Sequence, residues 1–299
     1  MTPALLLEQL LNGLQLGLML FLMSAGLTLT FGIMNFINLT HSSFFMMGAF
    51  FVASAFSLTK NFYLAVLLAT VATTIVALAI DRLALRHLYR RSHLDQVLAT
   101  FALLAFFNDA ATIVYGSEPR FVPIPPSLKG SVLFLGEIHY PVYRIAIMVA
   151  ALVIALGLYL IITRTRLGMW IRAGAERPEM LGGLGVNVQI LFAFVFAAGS
   201  AMAGLAGMLT GPLISIQPGM GNEMLITAFV VIVIGSIGSV RGAFFSALAI
   251  GVIDTMGRIL LPQLLGFTVG PALASMTIYL VMAAVLFARP PALFSKAQH

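Results

Sequence analysis

The sequence has no cysteine and few charged residues. Without cysteine there is no disulfide framework, no thiolate nucleophile and no cysteine-based metal site. Only 9% of the 299 residues are charged and 61% are hydrophobic, compared with about 25% and 45–50% in a soluble domain. A water-soluble globular protein is therefore excluded.

Charge is also absent from three long stretches. Residues 9–59, 180–222 and 259–288 contain no Asp, Glu, Lys or Arg, and a helix needs about 20 apolar residues to span a bilayer. We predict an all-α, polytopic transmembrane helical bundle with broken or re-entrant helices, forming one domain over residues 1–299. The first apolar run is too long for the core of a cleaved signal peptide, so we expect it in the mature protein.

Apolar windows predict nine spans, within a range of eight to ten because the run 9–59 has room for a re-entrant piece. The predicted spans are residues 8–31, 41–59, 62–81, 94–115, 141–163, 188–210, 223–238, 242–261 and 267–288.

Half of the 16 basic residues lie in two segments between predicted spans. They are Arg82, Arg86, Arg90 and Arg91 in the first, and Arg164, Arg166, Arg172 and Arg177 in the second. Lys- and Arg-rich loops stay in the cytoplasm, so the net charge of +6 indicates topology and not nucleic-acid binding. We expect 164–187 and the C-terminal tail inside, and the Pro-rich loop 116–140 and the N-terminus outside.

Motifs for catalysis are missing. The histidines have no metal-ligand spacing, and no nucleophile-elbow or phosphate-binding loop occurs. His41 neighbours Ser42 and Ser43, but adjacent residues point to different helix faces. No span carries a row of acidic residues, as proton-coupled carriers commonly do. We therefore predict a non-enzymatic protein without a metal that moves a solute and takes its energy from elsewhere.

The stretch 32–43 is polar and broken by glycine inside an uncharged run. Asn35, Asn38 and His41 at membrane depth are costly unless they have a role. Two interpretations remain open. The stretch is either a tight turn whose Asn and Thr side chains cap the next helix, or a broken helix beside a solute pathway.

A second stretch, 235–242, interrupts an apolar run with Gly235, Ser236 and Ser239. It is either a hairpin turn or part of a transporter's central site, where short, glycine-interrupted segments are typical. Farther along, Asp254 and Arg258 are four residues apart and share a helix face. An ion pair that supports packing is favoured over direct solute contact.

The segment 164–187 is longer than the roughly 2–8 residues that join two helices. Helix-forming residues around 173–181, with Pro178 near the start and glycines at the end, predict a short surface helix. Such a helix docks a soluble partner or lies on membrane lipid.

Three stretches together carry a family resemblance: Gly32 to Gly48 (GIMNFINLTHSSFFMMG), Arg172 to Asn187 (RAGAERPEMLGGLGVN) and Gly235 to Gly251 (GSIGSVRGAFFSALAIG). In this order and spacing, the chain resembles the inner-membrane permease of bacterial branched-chain amino acid ABC importers, the LivH type, over nearly its whole length. It departs from the family at Ser236, where a second glycine is typical, and at Thr40, where alanine is typical.

The resemblance implies one of two permease subunits, in a homodimer or a heterodimer, with two cytoplasmic ATPase subunits and a periplasmic binding protein. ATP and Mg would then belong to the ATPases, with no cofactor in this chain. The family's coupling helix corresponds to about 173–184, and the candidates for ATPase contact are Arg172, Gly174, Glu176, Arg177 and Pro178. From polarity and glycine breaks, the pathway candidates are Asn35, Asn38, His41, Gly235, Ser236 and Ser239.

The solute is expected to be a branched-chain or other apolar amino acid. A permease for urea or short amides is the nearest alternative. A stand-alone secondary carrier and an intramembrane enzyme are more distant alternatives, because the sequence lacks intramembrane acidic rows and reactive pairs.

Overall fold

A computed structural model describes residues 3–89, 91–134 and 138–288. Arg90, residues 135–137 and the tail 289–299, which was expected in the cytoplasm, lie outside the described residues. Within the described ranges, eight helices are long and apolar enough to cross a membrane, and one further apolar helix, Met220–Gly235, is shorter. The prediction of a polytopic helical bundle with eight to ten spans is confirmed.

The helices are α1 (Pro3–Met34), α2 (His41–Thr59), α3 (Phe62–Leu83), α4 (His93–Tyr115), α5 (Val142–Arg164), α6 (Arg166–Glu176), α7 (Pro178–Gly183), α8 (Val188–Thr210), α9 (Met220–Gly235), α10 (Val240–Gly266) and α11 (Thr268–Ala288). Gly266 separates α10 from α11 because its φ of 83° is a conformation that favours glycine. Short 3-10 turns cover Leu85–His87 and Pro126–Leu128.

The two ends of the bundle differ. One end, which we call the basic end, carries Arg86, Arg172 and Arg241. The opposite end, the hairpin end, carries the antiparallel strands β1 (Ser131–Phe134) and β2 (Ile138–Pro141). The prolines of the loop 116–140 predict an irregular conformation, but the loop contains a short sheet, since β-branched and aromatic residues such as Val132, Ile138 and Tyr140 favour strands.

The hairpin end is fastened to the helices by two tyrosines. The Tyr140 hydroxyl donates to Asn12 Oδ1 of α1 at 3.3 Å, and the Tyr143 hydroxyl donates to the Leu209 carbonyl of α8 at 2.7 Å. These bonds hold the N-terminal part of α1 and the C-terminal end of α8 beside the start of α5.

Three helices form the core. The buried share of the apolar window is 83% in α1, 56% in α2 and 61% in α8, but only 17% in α4 and 11% in α11. Glycines bring the core backbones together, since a Cβ added at Gly26 would lie 2.7 Å from Gly199 Cα. Close backbone approach is how helices gain packing energy in lipid. The outer helices leave most of their surface exposed.

Both α2 and α9 begin inside the bundle. His41 Nε2 at the start of α2 lies 3.2 Å from the Met23 carbonyl of α1, although α1 continues to Met34. α9 starts next to α2, where the Gly219 amide donates to Met46 Sδ at 3.4 Å. The prediction of broken helices is therefore confirmed.

Candidate functional site

The polar stretch between α1 and α2 is tied to α4 by Gln96. Its Oε1 accepts from the Ile37 amide at 3.4 Å, and its Nε2 donates to the carbonyls of Leu88 at 3.3 Å and Arg91 at 3.2 Å. Gln96 thus joins the connection between α1 and α2 to the connection between α3 and α4. Nothing in the sequence pattern indicated this role.

Thr40 lies at the N-cap position of α2 but does not cap it. Its hydroxyl donates instead to the Thr100 carbonyl of α4 at 3.0 Å. The tight-turn interpretation, in which this threonine caps α2, is not supported at Thr40, because a tertiary acceptor competes for the hydroxyl.

The asparagines and the histidine of this stretch have different surroundings. Asn38 and His41 are fully buried, and within the described part of the chain the Asn38 amide and His41 Nδ1 have no hydrogen-bond partner. Asn35, in contrast, is exposed with φ of 45° and lines a cavity of about 840 Å³ at the basic end. The structure therefore separates Asn35 from the two residues that were predicted to act with it.

We expect Gln96→Leu to destabilise the protein. The substitution removes the acceptor of the Ile37 amide and one donor to each of two carbonyls, of which the Leu88 carbonyl still accepts from the Arg91 amide. A buried polar group that loses its partner costs about 1–3 kcal/mol. Thermal denaturation in detergent should show a lower midpoint than the wild type. Gln189→Leu, at an exposed position, serves as the control, and equal midpoints for both variants would contradict the assigned role of Gln96.

The stretch 235–242 is a hairpin turn between α9 and α10, the simpler of the two interpretations. Ser236 and Gly238 have φ of 77° and 80°. The Ser239 hydroxyl accepts from the Gly242 amide at 3.0 Å and so caps the start of α10. Gly235 is buried against Gly242.

This turn meets the end of α1, so the two glycine-broken stretches are neighbours. A Cβ on Gly238 would lie 3.3 Å from Gly32 Cα. Ser239 also lines a cavity of about 180 Å³ with Thr28 and Arg172. Ser239 and Asn35 therefore both border space at the basic end.

The segment 164–187 contains two helices, and the single helix predicted around 173–181 is wrong. α6 ends at Glu176 and α7 starts at Pro178. Arg177 between them has φ of −145° and ψ of 81°, because a residue before proline is disfavoured in the α conformation. At its other end, α6 is capped by the Thr165 hydroxyl, which accepts from the Gly168 amide at 3.2 Å.

Residues 175–180 form a continuous exposed strip, which we call the docking strip. It contains Glu176, Arg177 and Pro178. Gly174 is buried below it, where a Cβ would lie 3.4 Å from Leu181 Cδ2. Exposed Arg172 donates to the Ile162 carbonyl. Four of the five predicted contact residues are thus accessible, and Gly174 supports them from beneath.

The docking strip borders the large cavity at the basic end. Pro178 and Glu179 form one wall and Asn35 of α1 another. Tyr89 also lines this cavity and donates a hydrogen bond to Asp81. Burial, reinforced by this hydrogen bond, raises the pKa of Tyr89 above its usual value, so the phenol stays protonated as a donor.

The predicted ion pair of α10 is confirmed. Arg258 Nε lies 3.0 and 2.9 Å from the two carboxylate oxygens of Asp254. Both residues line a cavity of about 340 Å³ with Glu223 of α9. No functional role for Glu223 followed from the sequence, although it is an acidic residue directly after a long uncharged run. In the described ranges, no group of three His, Asp or Glu side chains is placed to hold a metal.

Comparison with known proteins identifies the family. A family model described as "Branched-chain amino acid transport system / permease component" matches residues 9–286. The high-affinity branched-chain amino acid transport system permease protein BraD of Pseudomonas aeruginosa is 32% identical over 265 residues, which cover 84% of this chain and 86% of BraD. LivH of Escherichia coli, a permease protein of the same description, is 28% identical over 264 residues, covering 84% of this chain and 85% of LivH.

A more distant relative has another solute in its name. The fructose import permease protein FrcC of Rhizobium meliloti is 29% identical over 154 residues, 48% of this chain and 42% of FrcC. No solved structure matches. The match over residues 9–286 confirms the resemblance noted in the sequence, and the chain belongs to the family of branched-chain amino acid transport system permease components.

Proposed function

We propose that the chain is one transmembrane permease subunit of an ABC importer that carries branched-chain or other apolar amino acids across the bacterial inner membrane. The observation that carries the proposal is the 32% identity to BraD over 84% of the chain. The helical bundle supports it, because a multi-pass permease needs several long apolar helices.

The basic end faces the cytoplasm in this proposal. Its exposed residues Arg86 and Arg172 fit the rule that basic loops stay inside. α11 runs back along α10, with Gly257 of α10 facing Thr277 of α11. This direction supports a cytoplasmic C-terminus in the proposal, because it returns α11 toward the basic end. The loop at the hairpin end, residues 116–140, then faces the periplasm and its binding protein.

Energy comes from two separate ATPase subunits, which hold the ATP and Mg. One of them docks on the segment 164–187 through the docking strip, with Arg172, Glu176, Arg177 and Pro178 as contacts. The exposure of these side chains supports the proposal, since exposed charged and apolar groups on a short helix suit a protein partner. A second permease, identical or different, completes the complex.

Transport follows alternating access. ATP binding draws the ATPases together, the docking strips move with them, and the space between the two permeases changes side. Of the candidate pathway residues, Asn35 and Ser239 border cavities at the basic end and act late in the path. The other candidates belong to the broken helices that flank the path: Asn38, His41, Gly235 and Ser236.

A pull-down tests the complex. The tagged chain is expressed with the genes beside its own, purified in detergent and analysed by mass spectrometry. We expect two ATPase chains and a second permease, and leucine uptake in proteoliposomes that needs ATP and the binding protein.

The same preparation tests the alternatives. Recovery of this chain alone, with leucine uptake that needs no ATP, would identify a secondary carrier and overturn the proposal. ATP-dependent uptake of urea without leucine uptake would instead identify a short-amide permease.

A further inference from the structure

A cavity of about 340 Å³ lies between α1, α9, α10 and α11. It is within the range of about 300–1,000 Å³ that is typical of small-molecule sites. Its lining combines a carboxylate, a guanidinium and aliphatic side chains: Glu223, Arg258, Leu16, Leu20 and Ile278. None of these residues belongs to the glycine-broken stretches or the docking strip.

Arg258 is held in a fixed orientation. Its Nε donates to both carboxylate oxygens of Asp254. The Asp254 side chain is 8% exposed, and the Arg258 side chain is 59% exposed. Within the described ranges, the two Nη groups of Arg258 have no hydrogen-bond partner. A guanidinium that is oriented in this way presents parallel donors that fit a carboxylate.

Glu223 supplies the opposite charge. It lies in the first turn of α9, the end of a helix at which acidic side chains are stabilising. The residue is exposed, and its carboxylate has no ion pair or hydrogen bond to any other described residue. An ionisable group inside a membrane-spanning bundle indicates a functional site. The charge of Glu223 also attracts the Arg258 guanidinium, although among the described residues no salt bridge or hydrogen bond joins the two side chains, so both face the cavity with room for a ligand between them.

We propose that this cavity binds the zwitterionic backbone of an amino acid. The substrate carboxylate accepts hydrogen bonds from the Nη groups of Arg258, and the substrate ammonium pairs with the Glu223 carboxylate. The aliphatic side chain of the substrate packs against Leu16 and Leu20. We call this the zwitterion site. The inference rests on the proposed function, because it assigns a binding site to the amino acid that the importer carries.

The test uses the complete importer in proteoliposomes with saturating, leucine-loaded binding protein, so that delivery does not limit the rate. Leucine uptake and ATP hydrolysis are measured together. Glu223→Gln should lower the leucine transported per ATP at least about tenfold, the effect of losing one charged partner. Stimulated ATP hydrolysis should persist, since Glu223 is not in the docking strip.

Three further variants make the result specific. Glu223→Asp should restore much of the uptake, because it keeps the carboxylate. Asp109→Asn removes the same charge from an exposed position on α4, which does not line the cavity, and should transport as the wild type does. Leu16→Phe narrows the cavity and should reduce leucine uptake more than valine uptake.

The outcomes separate this inference from the proposed function. Wild-type importer that takes up neither leucine nor any other apolar amino acid would overturn the proposed function itself. Wild-type uptake that is unchanged in Glu223→Gln would overturn the zwitterion site and leave the proposed function standing. A parallel fall in uptake and ATP hydrolysis in Glu223→Gln would also overturn it, because that result indicates a structural role.

Discussion

Replacing Glu176 and Arg177 together with alanine is expected to reduce ATP hydrolysis, when stimulated by loaded binding protein, to the basal rate. Both side chains are exposed and sit at the break between α6 and α7. If the docking strip transmits the ATPase motion, the variant loses central charged contacts, each worth about 2 kcal/mol or more at an interface hot spot. The measurement is the ATPase rate of the reconstituted importer with and without binding protein.

The fold should survive this double substitution, because neither side chain is buried. Membrane insertion and the thermal midpoint in detergent are therefore expected to match the wild type. Arg82→Ala, which removes an exposed arginine outside the docking strip, should keep normal stimulation. Unchanged stimulation in the double variant would remove the docking assignment.

Gly235→Val is expected to abolish the folded protein. A Cβ at this position would lie 2.6 Å from both the Gly242 carbonyl oxygen and Ser246 Oγ. Valine adds two more carbons where the backbones of α9 and α10 already touch, and overpacking of a tight contact costs about 1–3 kcal/mol or more. Size-exclusion chromatography in detergent should show aggregate instead of a single peak, with uptake lost in proportion.

Gly157→Val is the matched control, because no atom lies within 4 Å of an added Cβ there. Gly238→Val should have a smaller effect, since its nearest neighbour is Gly32 Cα at 3.3 Å and the main cost is the strain of its positive φ. A normal elution profile and normal uptake for Gly235→Val would contradict the close packing of this turn.

The spans were predictable from the sequence because a single quantity, the length of uncharged apolar runs, determines them. The span predicted at 62–81 corresponds to α3 and that at 267–288 to α11. The ion pair of Asp254 and Arg258 was equally predictable from the sequence, because a spacing of four residues places both side chains on one helix face.

Features that depend on contacts between distant segments were not predictable. The role of Gln96 depends on where the connection between α1 and α2 meets α4. Glu223 and Arg258 share a cavity only because α9 and α10 pack together. The break at Arg177 did have a local signal, the proline that follows it, but the helical composition on both sides concealed it.

The length of α1 gives the molecule a mechanical connection between its two faces. Its 32 residues extend about 48 Å at 1.5 Å per residue, more than the roughly 30 Å hydrocarbon thickness. Asn35, just beyond one end, borders the cavity of the docking strip, while Asn12 is bonded by Tyr140 and Arg144 at the hairpin end. Because α1 is bonded at the hairpin end and its backbone packs against α8 at Gly26, we infer that this stiff helix acts as a lever in the proposed importer. In the proposed orientation, we expect a tilt imposed at the cytoplasmic end of α1 to appear with opposite sign at the periplasmic end.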